Sequence, residues 1–208
     1  MFVKKDFYLV TIIGFLVGAL FLMPLANLGF DVNLTLVFAS IIGFTVFAPI
    51  ALGVLGFLSR YFKVLEQFGK FAAVGTLNSL LDIATINFFI FVTDIPKGIY
   101  YSLFVVIGFL VAATNSYFWN KIWTFQDKMP VTLKEYLRFA FFTLIGALLN
   151  ASAASFVVNF LGAPVGFNLN LWANIGALCG IAASLLWNFL SYKNIVFKHS
   201  GETQPFDK

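Results

Sequence analysis

Asp82 stands inside an otherwise apolar stretch, with Asn78 one helical turn before it, Thr85 about one turn after it and Gly75 on the same side. An ionised carboxylate at the centre of a bilayer costs about 2.5–3.5 kcal/mol on insertion scales, so such a residue needs a reason to be there. Two chemistries fit. The carboxyl can be protonated and bonded to a neighbouring helix as packing, or it can line a path for a polar substrate and carry a proton. Asn150 takes the corresponding place later in the chain. The second group is cationic. Lys70 and Arg138 open two apolar stretches, Lys121 and Lys193 close two others, and Asn115, Asn120 and Asn188 lie near them. Lys and Arg pair well with phosphate, and helix N-termini add backbone donors, so this set can hold a lipid phosphate. The plainer reading is that each cation anchors its helix at a membrane surface.

Soluble chemistry has little to work with. His199 is the only histidine and Cys179 the only cysteine, which leaves no His-based triad, no zinc site and no internal disulfide. No phosphate-binding Gly loop of the Walker type is present. The expectation is a protein that is not an enzyme and takes no cofactor or metal. The 208 residues are 61% hydrophobic and 11% charged, with 28 Phe, against about 25% charged for an ordinary soluble domain. A water-exposed globule of that composition could not cover itself. The 13 Lys and Arg sit between apolar runs instead of along one face, so the basic balance does not indicate nucleic acid.

A helix needs about 20 mostly apolar residues to cross the hydrocarbon layer. Six stretches qualify: 7–28, 34–58, 71–92, 99–119, 137–160 and 169–190. Gly29, Asp31 and Asn33 separate the first two; Thr93, Asp94, Pro96 and Gly98 the next; Gly162, Pro164, Gly166 and Asn168 the last. The stretches are too long and too uniformly apolar for barrel strands. Twelve of the 13 cations fall on one side of this arrangement, and only Lys97 falls on the other. The positive-inside rule then puts both termini in the cytoplasm of a multi-pass protein of the plasma membrane. The first stretch resembles a secretory signal but is too long for one and lacks a good cleavage site, so a retained span is expected. Eight of the nine acidic residues are assigned to loops or tails, leaving Asp82 alone within a span.

Spans three and four resemble spans five and six. Lys70-Phe-Ala answers Arg138-Phe-Ala, and Leu80-Leu-Asp82 answers Leu148-Leu-Asn150, both at an offset of 68. Lys121 to Phe125 answers Lys193 to Phe197 at an offset of 72, where Gly108, Ala112 and Ser116 also match Gly180, Ser184 and Asn188. Small residues at i, i+4 share a helix face and let backbones approach closely. The fold expected is an all-α polytopic membrane bundle of six helices, with a duplicated two-helix repeat in spans three to six. Repeats of equal orientation are common in transporters, which bind substrate near the midplane. The GxxxG pairs Gly14–Gly18 and Gly176–Gly180 read as internal packing, and Trp119 and Trp123 as interfacial aromatics.

Three stretches carry a resemblance to a known family: Phe71-Ala-Ala-Val-Gly75 with Asn78 and Asp82; Asn115-Ser116-Tyr-Phe-Trp-Asn120-Lys-Ile-Trp123-Thr-Phe125; and Asn188-Phe-Leu-Ser-Tyr-Lys-Asn-Ile-Val-Phe197. The chain resembles the GtrA-like family of small polytopic membrane proteins over about residues 65–198. Lys121 and Lys193 stand where that family often has Arg, which removes a bidentate fork. The division that follows is two additional helices in 1–64, a GtrA-like four-helix domain in 65–198 and a polar cytoplasmic tail in 199–208. The resemblance implies flipping of a polyprenyl-phosphate-linked sugar from the cytoplasmic to the outer leaflet, for cell-surface polysaccharide synthesis or glycosylation. Lys70, Lys121, Arg138 and Lys193 would hold the phosphate, and Asn78, Asp82 and Asn150 would line the headgroup path. A polyprenyl-phosphate glycosyltransferase is the implied partner, and nucleic acid is not. A non-transporting membrane anchor for such an enzyme is the second reading, and a small proton-coupled exporter the third.

Overall fold

The computed structural model describes residues 2–27 and 30–198. Gly29, expected in a turn, and the expected polar tail with His199 and Lys208 lie outside the described residues. The fold is all-α: α1 (Lys4–Leu20), α2 (Leu22–Asn27), α3 (Leu34–Leu58), α4 (Val64–Thr93), α5 (Gly98–Trp119), α6 (Leu133–Ser155) and α7 (Leu169–Ser191). Short π-helical turns continue α5, α6 and α7. Among the described residues, six helical segments are long and apolar enough to cross a membrane.

The helix starts follow from local chemistry. The Asn33 side chain accepts the Leu36 N–H at 3.0 Å, and Thr132 Oγ1 accepts the Glu135 N–H at 3.2 Å, which caps α3 and α6. Asp6 reaches back to the Val3 N–H at 2.9 Å and starts α1. Asp94 ends α4 in the left-handed region, at φ 55°. The second expected span is α3, with the bounds expected from composition, Leu34–Leu58. The third starts at Val64, about two turns before the apolar run, because a helix continues past a charged residue whose long apolar stem stays buried. Lys70 therefore lies well inside α4. Asp6, Glu66 and Glu135 occupy first turns of α1, α4 and α6, so the expectation that every acidic residue but Asp82 lies in loops or tails is corrected.

The chain forms two compact units, Met1–Gln126 and Asp127–Lys208. In the first, α1 packs on α3 and α4, and α4 pairs with α5. Close approach of α1 to α3 needs Gly18, where an added methyl would lie 2.7 Å from the Ser40 carbonyl oxygen. The Ser40 hydroxyl donates to the Gly18 carbonyl at 2.8 Å across the same contact. The pair Gly14–Gly18 thus serves internal packing. Val10, Ile13 and Val17 of α1 meet Leu52, Val74, Leu77 and Trp123 in one buried cluster. Within lipid such a cluster holds by packing, because hydrocarbon tails are as apolar as the side chains.

The second unit is the α6–α7 hairpin. Trp187 Nε1 donates to the Phe142 carbonyl at 3.1 Å, and Trp172 Nε1 to the Val157 carbonyl at 3.0 Å. At one end Phe139 and Tyr192 pack with ring centroids 4.4 Å apart, and the Tyr192 and Thr143 hydroxyls share a 2.6 Å hydrogen bond.

Candidate functional site

In the first unit Lys70, Val74, Asn78 and Asp82 succeed one another at intervals of four and form one ridge of α4. Gly108, Ala112, Ser116 and Asn120 make the corresponding ridge at the same interval on α5 and its π turn. Where the ridges meet, polar groups are concentrated. Asn115 Nδ2 donates to Asn78 Oδ1 at 2.7 Å, with Asn78 only 8% exposed. Asn120 Nδ2 donates to the Ser116 carbonyl at 2.9 Å and to its hydroxyl at 3.1 Å. Asp82 Oδ1 faces Gly108, where an added methyl would lie 2.5 Å from it. Asn78 Nδ2, Asp82 Oδ1, Asn120 Oδ1 and Thr124 Oγ1 are all buried and have no protein partner among the described residues. Buried polar atoms are nearly always paired, so this hairpin holds an unusual amount of free hydrogen-bonding capacity. Thr85 adds none, because its hydroxyl donates to the Leu81 carbonyl of its own helix at 2.7 Å. Gly75 is half-buried beside the ridge, and its carbonyl accepts the Ser79 hydroxyl at 3.1 Å.

The Lys70 end holds a feature that charge counting missed. Lys70 Nζ lies 2.7 Å from Asp6 Oδ1, and both side chains are 5% exposed. Trp123 Nε1 donates to the same Asp6 oxygen at 2.8 Å, while Asp6 Oδ2 takes the Val3 N–H. The Lys70 ammonium also lies 5.9 Å from the Phe2 ring centroid and 5.8 Å from that of Trp123, within cation–π range. Trp123 points inward and is 4% exposed, which corrects its reading as an outward interfacial aromatic. The sequence did carry a signal for Asp6. Asp6, Val10, Ile13 and Val17 follow the i, i+4, i+7, i+11 spacing of one helix face, the face that α1 buries.

The second unit places the corresponding residues differently. Arg138 is exposed, and its Nη1 reaches the Ile195 carbonyl at 3.5 Å. Lys193 is exposed and lies 5.8 Å from the Phe189 ring centroid. Lys121, by contrast, is 3% exposed in the first unit. Asn150 Oδ1 faces Gly180 at the same 2.5 Å from an added methyl that separates Asp82 from Gly108. Asn188 packs on Gly146, and its Oδ1 has no partner among the described residues. Both hairpins end in a π turn, with Phe125 N–H on the Asn120 carbonyl and Phe197 N–H on the Tyr192 carbonyl, each at 2.8 Å. Lys121 and Lys193 sit second in these turns, and the closing Phe125 and Phe197 are buried at 3% and 1% exposure. π turns often mark functional positions.

The structure therefore gathers Lys70, Asn78, Asp82, Asn115, Ser116, Asn120, Lys121 and Trp123 on one hairpin, and Arg138, Asn150, Asn188 and Lys193 on the other. Among the described residues no three His, Cys, Asp or Glu side chains come together in a metal-binding group.

Comparison with known proteins agrees with these motifs. The chain is 27% identical over 136 residues to the uncharacterized membrane protein YngA of Bacillus subtilis (strain 168), a stretch that covers 65% of this chain and 82% of that protein. No solved structure matches. The model of the GtrA/DPMS transmembrane domain matches residues 70–197, from the Lys70 that meets Asp6 to the Phe197 that closes the last π turn. That family is non-catalytic and is associated with the handling of lipid-linked sugars at the membrane. The chain belongs to the GtrA/DPMS transmembrane-domain family.

Proposed function

We propose that this protein moves a polyprenyl-phosphate-linked sugar from the cytoplasmic to the outer leaflet, for cell-surface polysaccharide synthesis or glycosylation. The observation that carries the reading is the α4 ridge, which runs from a cation at Lys70 through the Asn78 amide to the Asp82 carboxyl. A phosphate needs the cation, and a sugar headgroup needs hydrogen-bonding groups further along that it can use in turn. The prenyl chain stays in lipid. Lys70, Lys121, Arg138 and Lys193 are assigned to the phosphate, and Asn78, Asp82 and Asn150 to the headgroup. The α4–α5 and α6–α7 hairpins are two copies of one unit in this reading. The equal placement of Asp82 on Gly108 and Asn150 on Gly180, and the π turn that ends each hairpin, support it.

Residues 65–198 would be the working domain and 1–64 an addition to it. Both termini and the cation-rich ends would face the cytoplasm, where a glycosyltransferase would supply the lipid-linked sugar. Burial of Lys70 and Lys121 favours one competing role, a non-transporting anchor for that enzyme, because buried cations are poorly placed to receive a substrate.

Transbilayer movement of a short-chain polyprenyl-phosphate-sugar in proteoliposomes separates the two. Movement by the wild type that collapses in Asp82→Ala is the expected result. Equal movement in both proteins keeps transport and removes Asp82 from the path. A wild type that matches empty vesicles, with its fold verified, gives the anchor reading the lead.

A further inference from the structure

Three donors converge on one small volume beside α4: the Lys70 ammonium, the Trp123 indole N–H and the Val3 backbone N–H. Lys70 and Trp123 both belong to the segment that the family model matches, residues 70–197. The anion they hold does not. It is the Asp6 carboxylate, brought by the first of the two added helices. Its Oδ1 lies 2.7 Å from Lys70 Nζ and 2.8 Å from Trp123 Nε1. All three side chains are at least nine-tenths buried.

We propose that Lys70 and Trp123 form an anion site of the family domain, that Asp6 fills this site as a built-in plug, and that a lipid-borne phosphate must displace Asp6 to enter. The proposal rests on the reading of the protein as a handler of phosphate-bearing lipids and adds what the extra helices do to that activity. A carboxylate and a phosphate compete for the same donors because both are oxyanions that accept from N–H and ammonium groups. The fit is local to this hairpin. At the offset of 72 that aligns the two motif ends, Ile195 stands where Trp123 does and brings no indole donor. Arg138, at the offset of 68 from Lys70, is exposed and faces no carboxylate among the described residues. The second unit therefore has an open cation and the first a plugged one. The α1 face that carries Asp6 also packs Val10, Ile13 and Val17 into the core, so the plug is released by movement at the start of the helix and not by loss of the whole helix.

The test uses the full chain in nanodiscs, with geranyl phosphate and inorganic phosphate as separate probes. Asp6→Asn keeps the shape of the side chain and removes its charge. It should bind geranyl phosphate about tenfold more tightly than the wild type, as expected for a site open in about a tenth of molecules. Adding Lys70→Gln should abolish the gain. Tightening for geranyl phosphate alone assigns the site to a lipid headgroup, and tightening for both probes extends it to free phosphate. Equal affinity in wild type and Asp6→Asn, or a gain that survives Lys70→Gln, overturns the proposal.

A second measurement leaves the charges in place, in case Asp6→Asn fails to fold. In a Cys179→Ser background, Phe2→Cys puts a thiol beside Lys70, and maleimide labelling there should accelerate as geranyl phosphate is added. A labelling rate that does not respond to geranyl phosphate also overturns the plug. Failure here is distinct from failure of the transport reading. A wild type that moves lipid without either effect loses only the plug, and one that shows both effects but moves no lipid keeps the anion site and loses transport.

Discussion

The α4–α5 and α6–α7 hairpins carry cations at matching offsets, yet those cations are in opposite states. Lys70 and Lys121 are 4% and 3% exposed, whereas Arg138 and Lys193 are both exposed. In the first unit α1 packs against α4 and brings Asp6 with it. The α6–α7 hairpin makes up its unit without such a helix. A cation at a matching sequence offset is thus a core component in one hairpin and a surface group in the other. Residue type alone does not assign its role. What packs on the helix does.

The largest difference should appear in stability. Lys70→Met leaves the Asp6 carboxylate buried without its partner, which costs about 3–5 kcal/mol in comparable buried pairs. Arg138→Met removes an exposed group and should cost about 1 kcal/mol or less. Unfolding of both variants in one detergent measures the contrast, and Asp6→Asn combined with Lys70→Met should recover most of the Lys70→Met loss. Equal costs at the two positions would mean that the ion pair is not what distinguishes the hairpins.

The next contrast lies at the two glycines. An added methyl at Gly180 meets the Asn150 backbone oxygen at 2.5 Å, as well as its side chain, so the helices themselves must part. At Gly108 the 2.5 Å contact is with the Asp82 side chain, and the Asp82 backbone oxygen is at 3.0 Å. Gly180→Ala should therefore cost about 1–3 kcal/mol, the range for overpacking, and Gly108→Ala less. The same unfolding assay decides the order, and a larger cost at Gly108 would show that the Asp82 carboxyl cannot turn aside.

The contrast between these sites could be read from the sequence only in part. Apolar length gave six spans, one with the bounds Leu34–Leu58 seen in the structure, because hydrocarbon thickness sets span length directly. The interval of four puts Asn78 and Asp82 on one helix face for the same geometric reason, whereas Lys70 reads from the sequence only as a cation that opens the apolar stretch. From the sequence Asp6 reads as part of the N-terminal tail, because it precedes the apolar run and sits beside Lys4 and Lys5, which look like a plain topogenic signal. Its burial follows from α1 docking on α4, a tertiary contact between residues 64 positions apart. Trp123 was misread for a related reason. Its indole faces inward toward the Asp6 carboxylate of α1. Asn150 packs on Gly180 and Asn188 on Gly146, contacts made within their own hairpin.

A third prediction concerns which cation meets substrate first. If the plug is in place, geranyl phosphate binding by the wild type should depend mainly on Arg138 and Lys193. Arg138→Gln should weaken it by about tenfold, close to 1.4 kcal/mol, and Lys70→Gln should change it much less. Equilibrium binding in nanodiscs measures both. The reverse order would place the first encounter on the first hairpin and remove the asymmetry from function while leaving it in stability.

The smallest effect on stability, and the sharpest on mechanism, is expected from Asp82→Asn. This change makes the first hairpin match the second, where Asn150 already sits against Gly180 as Asp82 sits against Gly108. Size and shape are nearly conserved, and Asp82 Oδ1 has no partner to lose among the described residues, so unfolding should shift by less than about 1 kcal/mol. The carboxyl is nevertheless an acid that can exchange a proton, which the Asn78 amide on the same ridge cannot do. Acidic groups within spans often serve as proton relays. Lipid movement by the wild type should therefore vary with pH, and the Asp82→Asn protein should show a flat profile at a similar level of folded protein. A flat profile in both would leave Asp82 as a packing group that happens to be ionisable, and the hairpins would then differ at their cation ends but not at their centres.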